Sequence, residues 1–238
     1  MTTLWQVDAV ADYQAFVKPF CELAVRTGKQ LVYFRFGKHA PLITEADDAE
    51  IHELHPEEGF DKLIAAIHKV VEATGRRGYH VFDCLSDLAV DWCSDRMLGN
   101  FFMLTCPYVY DVGGIAYFTV LKNYHSFRAF ASIAETTQIL LDVYRHKSRL
   151  YVHPIKVQQR HSHTMHMLHE LDRDALVPVT RSTVITEILT SMPWGGSESA
   201  RTRLGIWTRA FVQAEEAVDP SHRRECSVEA AREMPGPC

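Results

Sequence analysis

The stretch Gly78-Tyr-His-Val-Phe-Asp-Cys-Leu-Ser-Asp-Leu88 decides the fold of this 238-residue chain. Its first half is a short apolar run that ends on Asp83, and its second half is polar enough to begin a helix. A short apolar run bounded by turn signals is typical of a buried strand in a parallel sheet. We therefore predict that Asp83 lies at the carboxyl end of a central strand, where open α/β sheets bind ligands. Ser86 and Asp87 are predicted to cap the following helix.

Strands and helices alternate on both sides of this stretch. Runs rich in β-forming residues predict strands at Leu4–Val7, Gln30–Phe36, Ala49–Leu54 and Ile115–Leu121. Amphipathic runs predict helices at Ala11–Thr27, Glu57–Thr74, Ser94–Leu104 and Phe127–Ala134. Asp8 is expected to cap the first helix, and Pro19 is expected to kink or break it. Pro107 and the Gly113-Gly114 pair are expected to end the region of the third helix.

The second half of the chain changes character. Thr136–Tyr144 and Leu150–Gln158 predict an antiparallel hairpin around a polar turn. Together with the alternating elements before it, this hairpin predicts a three-layer α/β sandwich with a mainly parallel sheet. Helices are predicted at Thr180–Thr190 and Ala200–Ala217. We expect an α/β domain at 1–193, a helical extension at 194–218 and a disordered tail at 219–238.

The bulk composition limits the classes of function. Hydrophobic residues make up 47% of the chain, which is enough for one sizeable core. The net charge of -5 gives no general attraction to nucleic acid or to an anionic membrane. The six cysteines show no CxxC pair, and no apolar run is long enough to span a membrane. We therefore expect a cytoplasmic protein with no nucleic-acid or membrane partner.

Two segments carry a resemblance to the RecA/KaiC-type ATPases. VFDCLSDL (residues 81–88) is similar to that family's second-acid strand, which is followed by a serine. TTQILLDVYRHKSRLYVHPIKVQQR (136–160) is similar to its terminal hairpin with a basic pair. The resemblance implies a RecA-like sandwich in a homo-oligomer, Asp83 and Ser86 as ligands of Mg-ATP, and Lys156 and Arg160 as contacts to the phosphate of a neighbouring subunit.

Longer blocks resemble a more specific group of proteins. FDCLSDLAVDWCSDRMLGNFFMLTCPY (82–108), TTQILLDVYRH (136–146) and PIKVQQRHSHTMHMLHEL (154–171) look like the RecA-like module at the front of phosphoenolpyruvate synthase or pyruvate, phosphate dikinase chains. The similarity covers about Trp5 to Trp207. The ATP-grasp and phosphohistidine domains of those enzymes lie outside these 238 residues. The resemblance therefore implies a catalytic partner of the phosphoenolpyruvate synthase type.

The chain departs from the ATPase pattern in two places. The position of the P-loop reads Val7-Asp8-Ala9-Val10-Ala11-Asp12, without the glycines and lysine that cradle phosphate. Asp8 and Asp12 would repel a polyphosphate by several kcal/mol, roughly, at an effective dielectric near 20. The strand before the Asp83 strand ends Phe34-Arg35-Phe36-Gly37-Lys38-His39, where the family places carboxylates. Both departures weaken an ATPase function.

Each candidate residue also has a structural interpretation. Asp83 can cap a helix or accept hydrogen bonds from loop amides instead of binding magnesium, and Ser86 can be a cap. Lys156 and Arg160 can be a solvated strand end. We favour a degenerate module that assembles with or regulates other chains. An ATP-binding phosphotransferase or ATPase with a non-standard phosphate loop, using Asp83, Lys156 and Arg160, is the first alternative.

A metal-dependent hydrolase is the second alternative. Four histidines lie close together in the sequence at His161, His163, His166 and His169. His166 and His169 would share one face if the stretch were helical. The sequence contains no H-E-x-x-H motif, so partly buried or surface histidines are the favoured interpretation. The aromatic-rich runs 92–110 and 117–130 are core by default, but their excess permits one exposed face for a subunit contact.

Overall fold

The computed structural model describes residues 1–44, 47–92, 94–173 and 175–191. The chain forms two compact units. The first comprises Met1–Arg145 and Lys156–Gln158, and the second comprises His146–Ile155 and the described residues from Gln159 onward. The described residues form nine strands: β1 (Thr2–Val7), β2 (Leu31–Arg35), β3 (Glu50–Glu53), β4 (Tyr79–Cys84), β5 (Ile115–Leu121), β6 (Ile139–His146), β7 (Arg149–Val157), β8 (His169–Asp172) and β9 (Ala175–Pro178). The same residues form six α-helices: α1 (Val10–Arg26), α2 (Phe60–Thr74), α3 (Ser86–Asp91), α4 (Asp95–Asp111), α5 (Phe127–Thr136) and α6 (Ser182–Ser191).

A parallel sheet organises the first unit. Its strands follow the order β3-β2-β4-β5-β1-β6, and β1 pairs in parallel with both β5 and β6. β4 lies between β2 and β5, and all six of its residues are buried. The predicted central strand and the mainly parallel α/β sheet are therefore confirmed. Because all these strands run the same way, their carboxyl ends meet at one edge of the sheet.

Helices cover both faces of this sheet. Phe16 of α1 stacks on Trp5, and Phe20 of α1 packs on Tyr117. Phe101 of α4 packs on the opposite face, against Phe118, since residues 117 and 118 are neighbours in β5 and point to opposite sides. This arrangement confirms the predicted three layers for the first unit.

Two prolines behave differently from the prediction. α1 runs without a break through Pro19, and α4 runs through Pro107 to Asp111. Proline costs a helix interior about 3 kcal/mol. α1 alone buries the large side chains Tyr13, Phe16, Val17 and Phe20, at roughly 1.5–3 kcal/mol each, so packing outweighs the local preference.

The predicted helix caps are wrong. The residue that precedes α1 is Ala9, not Asp8, and the residue that precedes α3 is Leu85. Neither side chain can accept a hydrogen bond. Ser86 and Asp87 lie inside the first turn of α3, where their backbone is already helical. Ser86 is consequently free to use its hydroxyl elsewhere.

The second unit is antiparallel. β7 pairs with β8, and β8 pairs with β9. The turn before β7 places Lys147 and Ser148 at positive φ (47° and 63°), which is the geometry of a two-residue hairpin turn. The prediction of antiparallel strands after the parallel sheet is confirmed, whereas β8 and β9 were not predicted from the sequence. The predicted helix at 200–217 and the segments 194–218 and 219–238 lie outside the described residues.

Among the residues that the structure describes, none of the helices is both long enough and apolar enough to cross a lipid bilayer.

Candidate functional site at the carboxyl edge of the parallel sheet

Asp83 is the most buried acid at this edge. It is the fifth residue of β4 and has no exposed surface. One carboxylate oxygen accepts from the Tyr33 hydroxyl, and the other accepts from Arg35 Nη1 at 2.6 Å. The backbone N–H groups of Phe36 and Gly37 donate to the same oxygen as Arg35, at 2.9 and 2.7 Å. The carboxylate is therefore an anchor for the loop that leaves β2, as its structural interpretation proposed.

The strand register explains why Arg35 reaches Asp83. Phe34 is paired with Phe82 across the β2–β4 ladder, so Arg35 follows at the level of Asp83. Arg35 also donates to the carbonyl oxygen of His39, which closes the loop on itself. The basic residue that stands where the ATPases place carboxylates is thus the internal counter-ion of Asp83.

Electrostatics around Asp83 are consistent with a charge held inside the protein. Burial raises the pKa of Tyr33, and the neighbouring Asp83 carboxylate raises it further because it opposes a second negative charge. Burial likewise raises the pKa of the adjacent Cys84 thiol to about 12. Tyr33 and Cys84 are therefore neutral, so Arg35 balances the single charge of Asp83.

The turn between β1 and α1 is closed by a second ion pair. Asp12 lies in the first turn of α1 and is 3% exposed. Its Oδ1 accepts from Arg145 Nε at 2.8 Å and from Arg145 Nη2. A helix N-terminus normally attracts anions, but here a carboxylate of the same chain lies in that first turn. The turn has neither the glycines nor the lysine of a phosphate cradle.

A third ion pair follows β5. Lys122 is buried, and its Nζ lies 3.0 Å from Asp142 Oδ1 and 3.9 Å from Asp8 Oδ2. The same ammonium donates to the Val143 carbonyl and lies 3.4 Å from the centre of the Tyr144 ring. Lys122 was not among the residues predicted for the site. Its partners lie on β6 and on the β1–α1 turn, so only the fold brings them together.

Ser86 makes a different set of contacts from the other predicted site residues. Its Oγ lies 2.8 Å from His125 Nε2 and accepts from the Leu121 backbone N–H at 2.9 Å. His125 Nδ1 lies 2.8 Å from Asp95 Oδ1. Ser86 is 1% exposed. The predicted cap at Ser86 is thus a contact to the β5–α5 loop, and sequence analysis did not find His125 or Asp95.

Lys156 is bound at the end of a helix. Its Nζ donates to the carbonyl oxygens of Ala134 and Glu135, at 2.8 and 2.9 Å, in the last turn of α5. These carbonyl groups have no partner inside the helix, so the ammonium satisfies them. Burial lowers the pKa of Lys156. A helix-capping contact of this kind is an alternative to the predicted solvated strand end and to the predicted anion contact.

Arg160 and the four histidines belong to the second unit. Arg160, His161 and His163 are exposed in a turn-rich stretch, whereas His169 is buried in β8. The helix that would have placed His166 and His169 on one face is absent from residues 161–173 as the structure describes them. Within the described ranges, no three His, Cys, Asp or Glu side chains converge as a metal site would require.

No protein-family model matches the sequence, and no curated protein matches it. A solved structure of a KaiC-like protein from the hyperthermophilic archaeon Pyrococcus horikoshii OT3 is similar, with a TM-score of 0.56 and 15% identity. The match covers 74% of this chain and 88% of that one. At this identity the likeness establishes the fold: the chain has a RecA/KaiC-like α/β architecture.

The edge therefore holds several acids, and its buried acids have partners within the chain. Asp83 pairs with Arg35, Asp12 with Arg145, and Asp142 with Lys122. In each pair, the cation contacts an acid of the same chain, so its charge is already neutralised before a phosphate could bind. The acid in turn contacts that cation, which a metal ion would have to displace. The arrangement can hold loops in place, but it offers little charge to an incoming nucleotide.

Proposed function

We propose that this chain is a degenerate RecA/KaiC-like module that does not hydrolyse ATP and acts in assembly or regulation. The observation that carries the proposal is the Asp83 carboxylate, whose two oxygens accept from Tyr33, Arg35 and two backbone amides. Magnesium would have to displace these charge-assisted hydrogen bonds, which are worth about 1.5–3 kcal/mol each when a charged group is involved.

The β1–α1 turn supports the same proposal. A nucleotide bound there would meet the carboxylate of Asp8, while Arg145 is already bound to Asp12. Lys122 is within ion-pair distance of two carboxylates, so it has no unneutralised charge to give to a phosphate. The phosphate-binding function of the fold thus has no counterpart among these side chains.

The exposed apolar side chains support a role in assembly. Met103 and Tyr110 of α4 are 51% and 55% exposed, and Phe127 at the start of α5 is 53% exposed. Exposed aromatic and methionine side chains are enriched at protein interfaces. The partner we propose is a second copy of the chain or a phosphoenolpyruvate synthase-type enzyme, on the strength of the blocks at 82–108, 136–146 and 154–171.

Nucleotide binding is the direct test. Isothermal titration calorimetry of the full chain at about 100 μM protein with Mg-ATP is expected to give no saturable heat. A release assay with the same protein is expected to give no phosphate above the rate without protein. Saturable binding that disappears in Asp83→Asn would overturn the proposal in favour of an ATP-binding enzyme with an unusual loop.

Assembly has its own test. Sedimentation velocity from 1 to 100 μM is expected to show association that weakens in Tyr110→Glu. Arg96→Glu, an exposed and charged position on the same helix, is the matched control and is expected to associate like the unmodified chain. A monomer at every concentration, alone and mixed with a phosphoenolpyruvate synthase-type enzyme from the same organism, would refute the assembly role.

A further inference from the structure

Three side chains from three elements form a hydrogen-bonded series at the carboxyl edge. Ser86 belongs to the first turn of α3, Asp95 to the first turn of α4, and His125 to the loop after β5. The two links are each 2.8 Å long, from Ser86 Oγ to His125 Nε2 and from His125 Nδ1 to Asp95 Oδ1. Both distances are within the range expected between a nucleophile, its base and the group that orients the base.

The neighbours of Asp95 and Ser86 restrict which atom donates in the two hydrogen bonds of His125. Burial raises the pKa of Asp95, but hydrogen bonds from Ser126 and His125 outweigh burial and leave the pKa lowered. The Asp95 carboxylate can therefore only accept, so His125 Nδ1 carries a hydrogen. Leu121 N–H donates to Ser86 Oγ. With its hydrogen on Nδ1, a neutral imidazole has a lone pair at Nε2, 2.8 Å from Ser86 Oγ, to which the Ser86 hydroxyl can donate.

This is the polarity of an activated serine. We propose that Ser86 is a nucleophile toward carboxylic esters, that His125 is its general base, and that Asp95 is a positioning residue that holds the imidazole. The hydroxyl lies directly after a central strand and at the start of a helix, a placement that presents a nucleophile at the top of a parallel sheet. The same three roles recur on unrelated folds, so the inference rests on geometry alone. It is independent of the proposed function, because no step uses a nucleotide.

The proposed reaction balances as an acyl transfer. The Ser86 oxygen forms a bond to the ester carbonyl carbon while His125 Nε2 takes the hydroxyl proton. The bond from that carbon to the alkoxide oxygen then breaks, and the proton passes from His125 to the leaving alkoxide. Water attacks the acyl-serine with His125 again as base, which releases the carboxylic acid and restores the hydroxyl.

Burial sets the class of ester. Ser86 is 1% exposed, and the His125 side chain is 2% exposed. Because both groups are buried, we expect a small acyl group to react and a bulky one not to react. We expect acylation to be slow, over minutes to hours.

A covalent probe tests the nucleophile on the full chain. The protein is incubated at pH 8 with an alkyl fluorophosphonate, whose fluoride leaves as the Ser86 oxygen bonds to phosphorus. Intact mass is expected to rise by one phosphonyl group, and peptide mapping is expected to place it on Ser86. p-Nitrophenyl acetate is expected to release nitrophenolate with about one equivalent in the first phase. No adduct after a day, or an adduct on another residue, would overturn the proposal.

Variants separate catalysis from packing. Ser86→Ala is expected to abolish labelling, while Ser162→Ala, at an exposed serine in the second unit, is expected to label like the unmodified chain. Asp95→Asn is expected to slow labelling by about 100-fold or more, because the imidazole loses the carboxylate that orients it. Asp95→Glu is expected to restore part of the rate. Labelling of Ser86 that is equal in Asp95→Asn would overturn the role of Asp95. If Ser86→Ala fails to fold, the mapped adduct on the unmodified chain decides the question.

Discussion

Replacing Asp83 distinguishes an internal anchor from a magnesium ligand. Asp83→Asn keeps the shape of the side chain and removes its charge. The four groups that donate to the carboxylate would then face an amide, and Arg35 would lose its counter-ion. An anchor predicts a large loss of stability with no effect on nucleotide binding. A magnesium ligand predicts the reverse.

The structure sets the size of the expected loss. Removing one partner of a buried ion pair lowers the free energy of unfolding by about 3–5 kcal/mol. The Arg35 side chain is 18% exposed, so water solvates part of the charge left behind, and the lower half of that range applies. We expect a loss of about 3–4 kcal/mol in the free energy of unfolding for Asp83→Asn. Arg35→Met is expected to cost about 1–2 kcal/mol because Asp83 keeps Tyr33 and two amides.

A double-mutant cycle isolates the interaction. Urea unfolding of the single variants and of Asp83→Asn/Arg35→Met, followed by the fluorescence of the buried Trp5, is expected to give a coupling free energy of about 2 kcal/mol. The exposed pair Lys38–Asp91, 3.4 Å apart, is the matched control. Asp91→Asn is expected to change stability by less than about 0.5 kcal/mol.

The opposite result would refute the reasoning. Asp83→Asn that unfolds at the same urea concentration as the unmodified chain would show that the anchor carries no stability. If millimolar Mg-ATP also raised the melting temperature of the unmodified chain but not of Asp83→Asn, Asp83 would be a ligand.

Three further predictions concern the same unit. Burial lowers the pKa of His80 to about 4, so the unfolded chain binds a proton below about 6.5 while the folded chain does not. Stability is therefore fully present above about pH 6.5 and falls toward pH 4, by about 3 kcal/mol in all. Urea unfolding is expected to show a loss of about 2 kcal/mol between pH 7 and pH 5. His80→Asn is expected to reduce this loss, unlike the exposed His161→Asn. Lys156→Met is expected to cost about 1 kcal/mol because α5 loses the partner of two terminal carbonyls, while the exposed Lys18→Met is expected to be neutral; equal thermal midpoints for both would contradict the capping role. Lys122→Met is expected to cost about 3–5 kcal/mol, since it leaves Asp142 buried without its cation. Adding Asp142→Asn is expected to recover part of that loss, and no recovery in urea unfolding would argue against the pair.

The position of Asp83 followed from the sequence, but its partner did not. An apolar run between turn signals is a local property, so it predicted β4 and its end. Arg35 reaches Asp83 because β2 and β4 are neighbours with Phe34 opposite Phe82, which is a property of strand order and register. The sequence held one signal for the pair: a basic residue where the resembled ATPases carry an acid. In the sequence, Arg35 indicated a departure from the ATPase pattern. The fold shows that Arg35 is the ion-pair partner of Asp83.

Short strands escaped the sequence analysis for a local reason. β8 and β9 are four residues each, and the turn between them has Arg173 at positive φ without a glycine to indicate it. A polar, histidine-rich stretch before them resembles a loop or an exposed helix. The pairing of β8 with β7 and of β9 with β8 stabilises them, since a strand of this length has little stability of its own.

The polar side chains at the carboxyl edge have different partners. These partners indicate which functions each side chain can have. Asp83, Asp12 and Asp142 are bound to cations, so each forms a closed pair that leaves little charge for a ligand. Ser86 contacts an imidazole that Asp95 also contacts, and this arrangement is the one from which we propose an activated hydroxyl. The three residues lie at positions 86, 95 and 125, with no spacing that marks them in the sequence. The fold that places the three cation–carboxylate pairs at this edge also brings Ser86, His125 and Asp95 together, so the proposed absence of nucleotide binding and the proposed nucleophile can be tested separately in one protein.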